Sequence, residues 1–543
     1  MSYPISDALQ AIVAVADITG DELAEAAKKA ASAVLRRVAI WKTQRTPEPV
    51  IRCQLRRFAK RHHIEQPGKP GLEQMLNRFC DAAWWRRALR KRFRSVELAA
   101  IQAGQVHAKA GKYVSAKAMH RYARDKRRIA ELLASLVAVN QSTGEMLPLD
   151  ELAAQSLANP AHRRRAMMAR IKGIEQYANA KGDVGVFLTI TCPSRMHARH
   201  ITGAANERYD GTGPRAAHAH LCRVWRDAGR KLGHLGVNLY GLRVVEPHHD
   251  ACPHWHVLGF VKPEHEETVI QTMREYALRD SPNEPGAAER RFKVERIDPS
   301  KGSATGYVAK YVSKSIDGEG VEIDDETGAS GKDAAMGVVA WARVFGIRQF
   351  QFFGVPAITP SRELFRLPSM NVPSRGLVLA HQATKANDYG TFLNVFDAFA
   401  LNFRTTYSER DSTRYPAETA HRILGLIAKA SDLVMPAEFT TRVDEWRIQP
   451  RKDEAASAVP APPWTRFNNC APIDLKDFFA DSIEVEDLAS SKGGMGGKKS
   501  APRRAPLPNA GRVDWRSNRP EHSGITESRK NMTARASHGG QHA

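Results

Sequence analysis

Two short segments hold most of the chemistry legible in this sequence. They are Glu246-Pro-His-His-Asp-Ala-Cys-Pro-His-Trp-His-Val257 and, further along, Gly306-Tyr-Val-Ala-Lys-Tyr-Val-Ser-Lys314. In an extended strand successive side chains point to opposite faces, so His254 and His256 share a face while Trp255 and Val257 take the other. Two neutral imidazoles one strand-step apart can bind a single divalent cation, and Glu246 just upstream can supply a third ligand. Such a set leaves coordination positions open for water and substrate oxygens, as catalysis requires. In a helix Tyr307 and Tyr311 stack on one face, with Lys310 and Lys314 on one flank and Val308 and Val312 on the other. That arrangement turns the valines inward and the lysines towards phosphate. A phenol ionises near pH ~10, so it attacks at neutral pH only where a metal or an ammonium stabilises the developing charge. Attack on a phosphodiester gives a phosphotyrosine ester and a free 3′-hydroxyl, and a second attack can reseal the strand. Two tyrosines allow one cut to follow another while the first ester persists.

Each feature also has a plainer account. A His-X-His pair can be hydrogen-bonded on a polar strand face, and a tyrosine pair can be half-buried packing. Two rival metal readings use the same stretch. His248, His249, Cys252, His254 and His256 offer ligand types of a structural zinc site, although no second Cys-x-x-Cys half is present at finger-like spacing. Two histidines and a carboxylate also fit a non-haem iron oxygenase. Neither rival gives the tyrosines a purpose.

The elements that must position these residues follow from periodicity. Residues 1–180 read as helical, with apolar residues at three- and four-residue spacing, as in Asp21-Glu-Leu-Ala-Glu-Ala-Ala-Lys-Lys-Ala-Ala. Within them Trp84-Trp-Arg-Arg-Ala-Leu-Arg-Lys-Arg-Phe-Arg94 is either a solvated helix face anchored by buried tryptophan, the reading favoured here, or a stacking surface for nucleic acid. Val184–Thr191 reads as a strand ended by Cys192-Pro193-Ser194. Val237–Glu246 and His254–Val261 read as two more, joined across Pro247–Pro253 as an antiparallel hairpin that brings Glu246 beside His254. An insert at Asp317–Thr327 holds six carboxylates and no base and reads as a solvated loop. Phe345–Gly354 reads as another strand. The expected class is α+β, with a catalytic domain over residues 181–370. Residues 371–455 read as helical, and 456–543 as linker and tail. From 490 to 543 there are 11 Lys and Arg against 3 Asp and Glu, a net of +8, the composition of a disordered basic arm.

Composition narrows the partner. The chain of 543 residues carries 81 Lys and Arg against 59 Asp and Glu, a formal net charge of +22 that favours a polyanion. No run of 18 apolar residues occurs, so no membrane span is expected, and the first residues lack the blocks of a signal peptide. Six scattered cysteines (53, 80, 192, 222, 252, 470) suit reduced thiols and a cytoplasmic setting.

Taken together these segments resemble the HUH endonuclease superfamily, and within it the replication gene A proteins of tailed bacteriophages. Phe187-Leu-Thr-Ile-Thr-Cys-Pro-Ser194 is similar to the family's first strand motif, Pro253-His-Trp-His256 to its metal motif, and Tyr307-Val-Ala-Lys-Tyr-Val-Ser-Lys314 to its two-tyrosine motif. Arg348–Gly354 and Asn159–Arg165 also resemble that family, and the likeness covers roughly residues 130–375. Ala251-Cys252 departs from the expected Gly-Thr and puts the conformation of that loop in question. The resemblance implies a sheet of about five antiparallel strands with the tyrosine helix over its metal face, embedded in largely helical regions. It implies His254 and His256 as ligands for Mg²⁺ or Mn²⁺, with Glu246 as third ligand and His248 or His249 as substitutes. It further implies Tyr307 and Tyr311 as alternating nucleophiles and Lys310 as a phosphate contact. The implied activity is nicking and joining of DNA at a replication origin, single-stranded or supercoiled. A host polymerase extends the 3′ end and a host helicase unwinds ahead, since the chain has no P-loop. A relaxase or transposase with the same site, and a non-enzymatic DNA-binding replication factor, remain as alternatives.

Overall fold

The computed structural model describes residues 20–62, 64, 70–411 and 419–451. Its centre is a five-stranded antiparallel sheet formed by β1 (Val184–Thr191), β2 (Tyr240–Pro247), β3 (Pro253–Val261), β4 (Phe292–Arg296) and β5 (Phe350–Phe353), in the order β4-β1-β3-β2-β5. Five helices matter for the site: α1 (Pro160–Lys181), α2 (Pro214–His234), α3 (Glu266–Leu278), α4 (Ala304–Lys314) and α5 (Gly331–Phe345). The architecture is α+β.

Every residue of β2 and β3 is buried, because helices cover both faces of the sheet. On one face Val186, Leu188, Val245, Trp255 and Val257 pack against α2, α3 and α5. On the other, Phe187, Leu242, Val244, Leu258 and Phe260 pack against α1 and α4. Strand alternation puts Glu246, His254 and His256 on this second face, beneath the tyrosine helix, and sends Trp255 and Val257 to the first.

The hairpin expectation holds in register: Glu246 pairs with His254, and Pro247 with Pro253. The strand expected at Phe345–Gly354 is shorter. Gly346 adopts φ 63, a left-handed conformation that closes α5 after Phe345, so the strand starts only at Phe350.

Residues 371–455 are not helical throughout. Helices Arg375–Lys385 and Tyr389–Ala398 give way to strands Asn402–Asp411, Thr419–Lys429, Ala437–Thr440 and Trp446–Pro450. The first three form an antiparallel sheet of their own, built from β-branched and aromatic residues such as Thr405, Thr406 and Tyr407. Trp446–Pro450 pairs with Leu136–Asn140, which also pairs with Met146–Pro148, so the first 180 residues are not all helix either. Their helices from Gly20 to Gln102 surround a separate core around Trp85. Trp85 is fully buried and donates from Nε1 to the Phe79 carbonyl at 2.7 Å, while Trp84 stacks on Phe79. The Trp84–Arg94 segment is thus anchored by buried Trp85 and runs across two helices, Ala82–Arg90 and Arg92–Gln102. The linker and tail expected at 456–543 lie outside the described residues.

Candidate metal centre and tyrosine helix

The site starts at the hairpin. Pro247 and Pro253 end the ladder and leave a five-residue turn in which Ala251 adopts φ 71. The His248 N–H donates to the Cys252 carbonyl at 2.7 Å, and the Ala251 N–H to the His248 carbonyl at 2.8 Å. The Ala251 carbonyl accepts from Trp341 Nε1 of α5 at 3.0 Å. The turn thus keeps a backbone suited to glycine even though alanine occupies it, which accounts for the Gly expected there and leaves the ligand strand undisturbed.

The ligand atoms of Glu246, His254 and His256 all lie within 4.8 Å of one another, and all three residues are buried. His256 Nδ1 is 3.1 Å from Thr189 Oγ1 across the β1–β3 ladder, which leaves Nε2 facing the cluster without a protein partner. His254 Nδ1 is likewise buried and unpartnered. Burial drives both imidazoles towards the neutral form, with His256 pushed down to about 3. Burial also raises Glu246 to about 7, against the pull of Lys314. Two neutral imidazoles with free lone pairs and one carboxylate fit a divalent cation by donor type and proximity. His248 stacks on His254 with ring centroids 4.0 Å apart, and Asp250 pairs with His197 at 3.2 Å in the layer behind.

The tyrosine helix is fixed at its N-terminal end. Ser303 Oγ accepts from the Gly306 N–H at 3.1 Å. Glu175 of α1 accepts from the Ala304 N–H at 2.6 Å and the Thr305 N–H at 3.1 Å. A carboxylate at a helix N-terminus satisfies orphan donors and complements the macrodipole. Val308 and Val312 are fully buried, as the flank pattern predicts. Tyr311 stacks face to face on His256 at 3.7 Å, while Tyr307, one turn nearer the N-terminus, reaches only Phe187 at 6.5 Å. Burial first, then the nearby Glu246, hold the Tyr311 phenol above its ordinary value.

Two expectations need correction here. Lys310 is exposed and pairs with Asp325, but Lys314 does not face outward to meet phosphate. It is buried, 2.8 Å from Asp324 and 3.5 Å from Glu246. The acidic insert is not simply a solvated loop either. Asp324 is 1 % exposed and accepts from Tyr113 and from Thr327. Glu326 lies 3.1 Å from His248 Nδ1 and accepts from the His249 N–H at 3.3 Å. A buried ammonium needs a carboxylate, and the insert supplies it. Sequence reasoning missed Asp324, Glu326, Glu175, Tyr113 and Thr189. Of these only Thr189 carried a usable signal, since alternation in Leu188-Thr-Ile-Thr191 puts it on the ligand face once β1 pairs with β3. The zinc set does not assemble: Cys252 is buried beside Cys192, outside the cluster that the ligand atoms of Glu246, His254 and His256 form.

These features define an α+β protein with a buried two-histidine, one-carboxylate cluster under a helix that bears two tyrosines. Residues 1–319, which include the ligand cluster and both tyrosines, match the family described as bacteriophage replication gene A protein, and the chain belongs to that family. It is 34% identical over 424 residues to the replication protein of Haemophilus phage HP1 (strain HP1c1), covering 74% of this chain and 54% of that protein. With the replication gene A protein of Escherichia phage 186 it shares 35% identity over 435 residues, 76% of this chain and 61% of the relative. It is 33% identical over 491 residues to a protein of Salmonella paratyphi A named probable replication endonuclease from prophage-like region, covering 84% of this chain and 59% of that one. The chain thus spans between half and two thirds of the length of these relatives. No solved structure matches it. Among the described residues no helix is long and apolar enough to cross a membrane.

Proposed function

We propose that this chain is a sequence-specific, metal-dependent DNA nickase and strand-transferase of HUH type, which opens one strand at a phage replication origin and so initiates rolling-circle replication in the cytoplasm of the bacterial host. The observation that carries the reading is Tyr311 seated on His256 at 3.7 Å, which sets a phenol against a buried ligand cluster. The antiparallel sheet crossed by the tyrosine helix, the net charge of +22 and the replication endonuclease names of relatives support it.

Glu246, His254 and His256 would hold Mg²⁺ or Mn²⁺, which supplies positive charge to polarise a phosphate oxygen. Thr189 fixes the His256 ring, and burial keeps both imidazoles neutral so that their lone pairs stay available. The oxygen of Tyr311 or Tyr307 attacks phosphorus. A P–O(Tyr) bond forms, the P–O3′ bond breaks, and the proton lost by the phenol ends on the 3′-hydroxyl. The ester energy is conserved, so attack by a 3′-hydroxyl rejoins the strand. The other tyrosine, one turn away, can act while the first ester stands. Lys310 becomes the phosphate contact once it leaves Asp325. The freed 3′ end primes a host polymerase, with a host helicase ahead of it.

Covalent capture on a labelled single-stranded origin oligonucleotide tests this reading. A Mn²⁺-dependent adduct that survives denaturation, is lost with EDTA and disappears in the Tyr307→Phe/Tyr311→Phe double variant is expected. No adduct on DNA that the protein binds would refute nicking and leave a DNA-binding replication factor.

A further inference from the structure

Lys314 stands between two buried carboxylates, only one of which belongs to the candidate ligand set. Its ammonium is 2.8 Å from Asp324 and 3.5 Å from Glu246, so it is ion-paired with both but sits closer to the first. All three side chains are almost fully buried, and water cannot take either partner's place. Asp324 does not move freely to follow the lysine. It accepts from the Tyr113 hydroxyl, from Thr327 Oγ1 at 2.5 Å and from the Thr327 N–H at 3.1 Å. Two residues on, Glu326 ties the same insert to His248 and the His249 N–H. Glu246 meanwhile accepts a 3.2 Å bond from Ser315 Oγ and holds the longer, 3.5 Å pairing with Lys314.

A cation held by Glu246 and two neutral imidazoles has Lys314 as its competitor. An ammonium bonded directly to Glu246 would occupy the oxygens that a metal needs. We infer that Asp324 is a positioning residue for this centre: it draws the Lys314 ammonium off Glu246 and keeps that carboxylate available as a ligand. The inference rests on the metal-centre reading above and adds to it the element that keeps the third ligand free. The acidic insert then serves the site from behind, with Asp324 acting through Lys314 on Glu246 and Glu326 acting through His248 on the ring of His254.

The test measures Mn²⁺ affinity of the full chain, without DNA or turnover, by electron paramagnetic resonance of the free ion. Asp324→Asn leaves Lys314 with Glu246 as its nearest carboxylate and should weaken Mn²⁺ binding by about 10–100-fold, the usual range for outer-shell partners. Lys314→Met should bind at least as tightly as wild type. The Asp324→Asn/Lys314→Met double variant should recover to within a few-fold of wild type, because the competitor is gone. A double variant as weak as Asp324→Asn, or a Lys314→Met variant weaker than wild type, overturns the inference, since Asp324 would then act on the fold alone. If Asp324→Asn does not fold by circular dichroism, the comparison of Lys314→Met with wild type decides. His256→Ala is the separate control: equal Mn²⁺ binding there, or none in wild type, removes the metal centre itself and the inference with it.

Discussion

Glu175 offers a direct check on how the tyrosines are held. One carboxylate on α1 accepts from the Ala304 and Thr305 N–H groups and from the Thr305 hydroxyl, and so clamps the first turn of α4. A hydrogen bond to a charged group contributes about 1.5–3 kcal/mol, and a carboxylate near a helix N-terminus adds about 0.3–1 kcal/mol. The bonds share one acceptor and do not add in full, and water can reach part of the freed turn. Glu175→Ala should therefore cost about 2–3 kcal/mol, while Glu175→Gln, which keeps an acceptor but loses the charge, should cost roughly half of that. Denaturant unfolding reads the stability. Covalent capture read beside binding of the same oligonucleotide by anisotropy separates positioning from affinity. Adduct formation should fall at least tenfold with binding changed by less than about threefold, because a displaced helix end moves the phenols by fractions of an ångström where orientation matters most. Should Glu175→Ala keep wild-type stability and capture, or lose binding in proportion to capture, the clamp is not what orients the tyrosines.

Three further outcomes follow from other parts of the structure. Ala251→Gly relieves a left-handed residue at φ 71 and should stabilise the chain by up to about 1 kcal/mol with capture unchanged, as read by unfolding midpoint. Trp85→Ala should cost about 3–5 kcal/mol and open the N-terminal helical core, seen as loss of amide-exchange protection over residues 20–102 with the central sheet still protected. His218 accepts from Trp255 Nε1 at 3.3 Å, and burial, with Arg243 and Arg215 adding, lowers it to about 4. Folded chains thus hold this imidazole neutral at pH values where unfolded chains, near ~6.5, take up a proton. Its contribution is complete above pH ~6.5 and falls away down to about 4, by about 3 kcal/mol in total. Wild type should lose more stability between pH 7 and pH 5 than His218→Asn does, and an equal loss in both would refute the assignment.

The hairpin, its register and the facing of Glu246, His254 and His256 were legible because strand alternation and two prolines fix them locally. Val308 and Val312 declared the inward side of the tyrosine helix for the same reason. Lys314 was misread because spacing gives a flank but not what covers it; the covering residue, Asp324, sits in a run whose acidity by itself signals only solvent. Glu175 and Tyr113 act on α4 and the insert from 129 and 211 residues away, a separation at which no periodicity speaks. Of the C-terminal strands, the sheet of Asn402–Asp411, Thr419–Lys429 and Ala437–Thr440 pairs locally, and its β-branched residues were a signal passed over. Trp446–Pro450 was lost as Glu175 and Tyr113 were, since its partner Leu136–Asn140 lies roughly 300 residues earlier.

That last pairing sets an order of events during synthesis. Leu136–Asn140 pairs at once with Met146–Pro148 on one edge, but its other edge stays open until Trp446–Pro450 emerges. At ribosomal speeds the roughly 300 intervening residues take about 15–60 s, long after the central sheet and its two tyrosines can have folded. The nascent chain therefore carries a finished central sheet inside an unlatched loop, with an apolar strand edge exposed to neighbouring chains on the polysome.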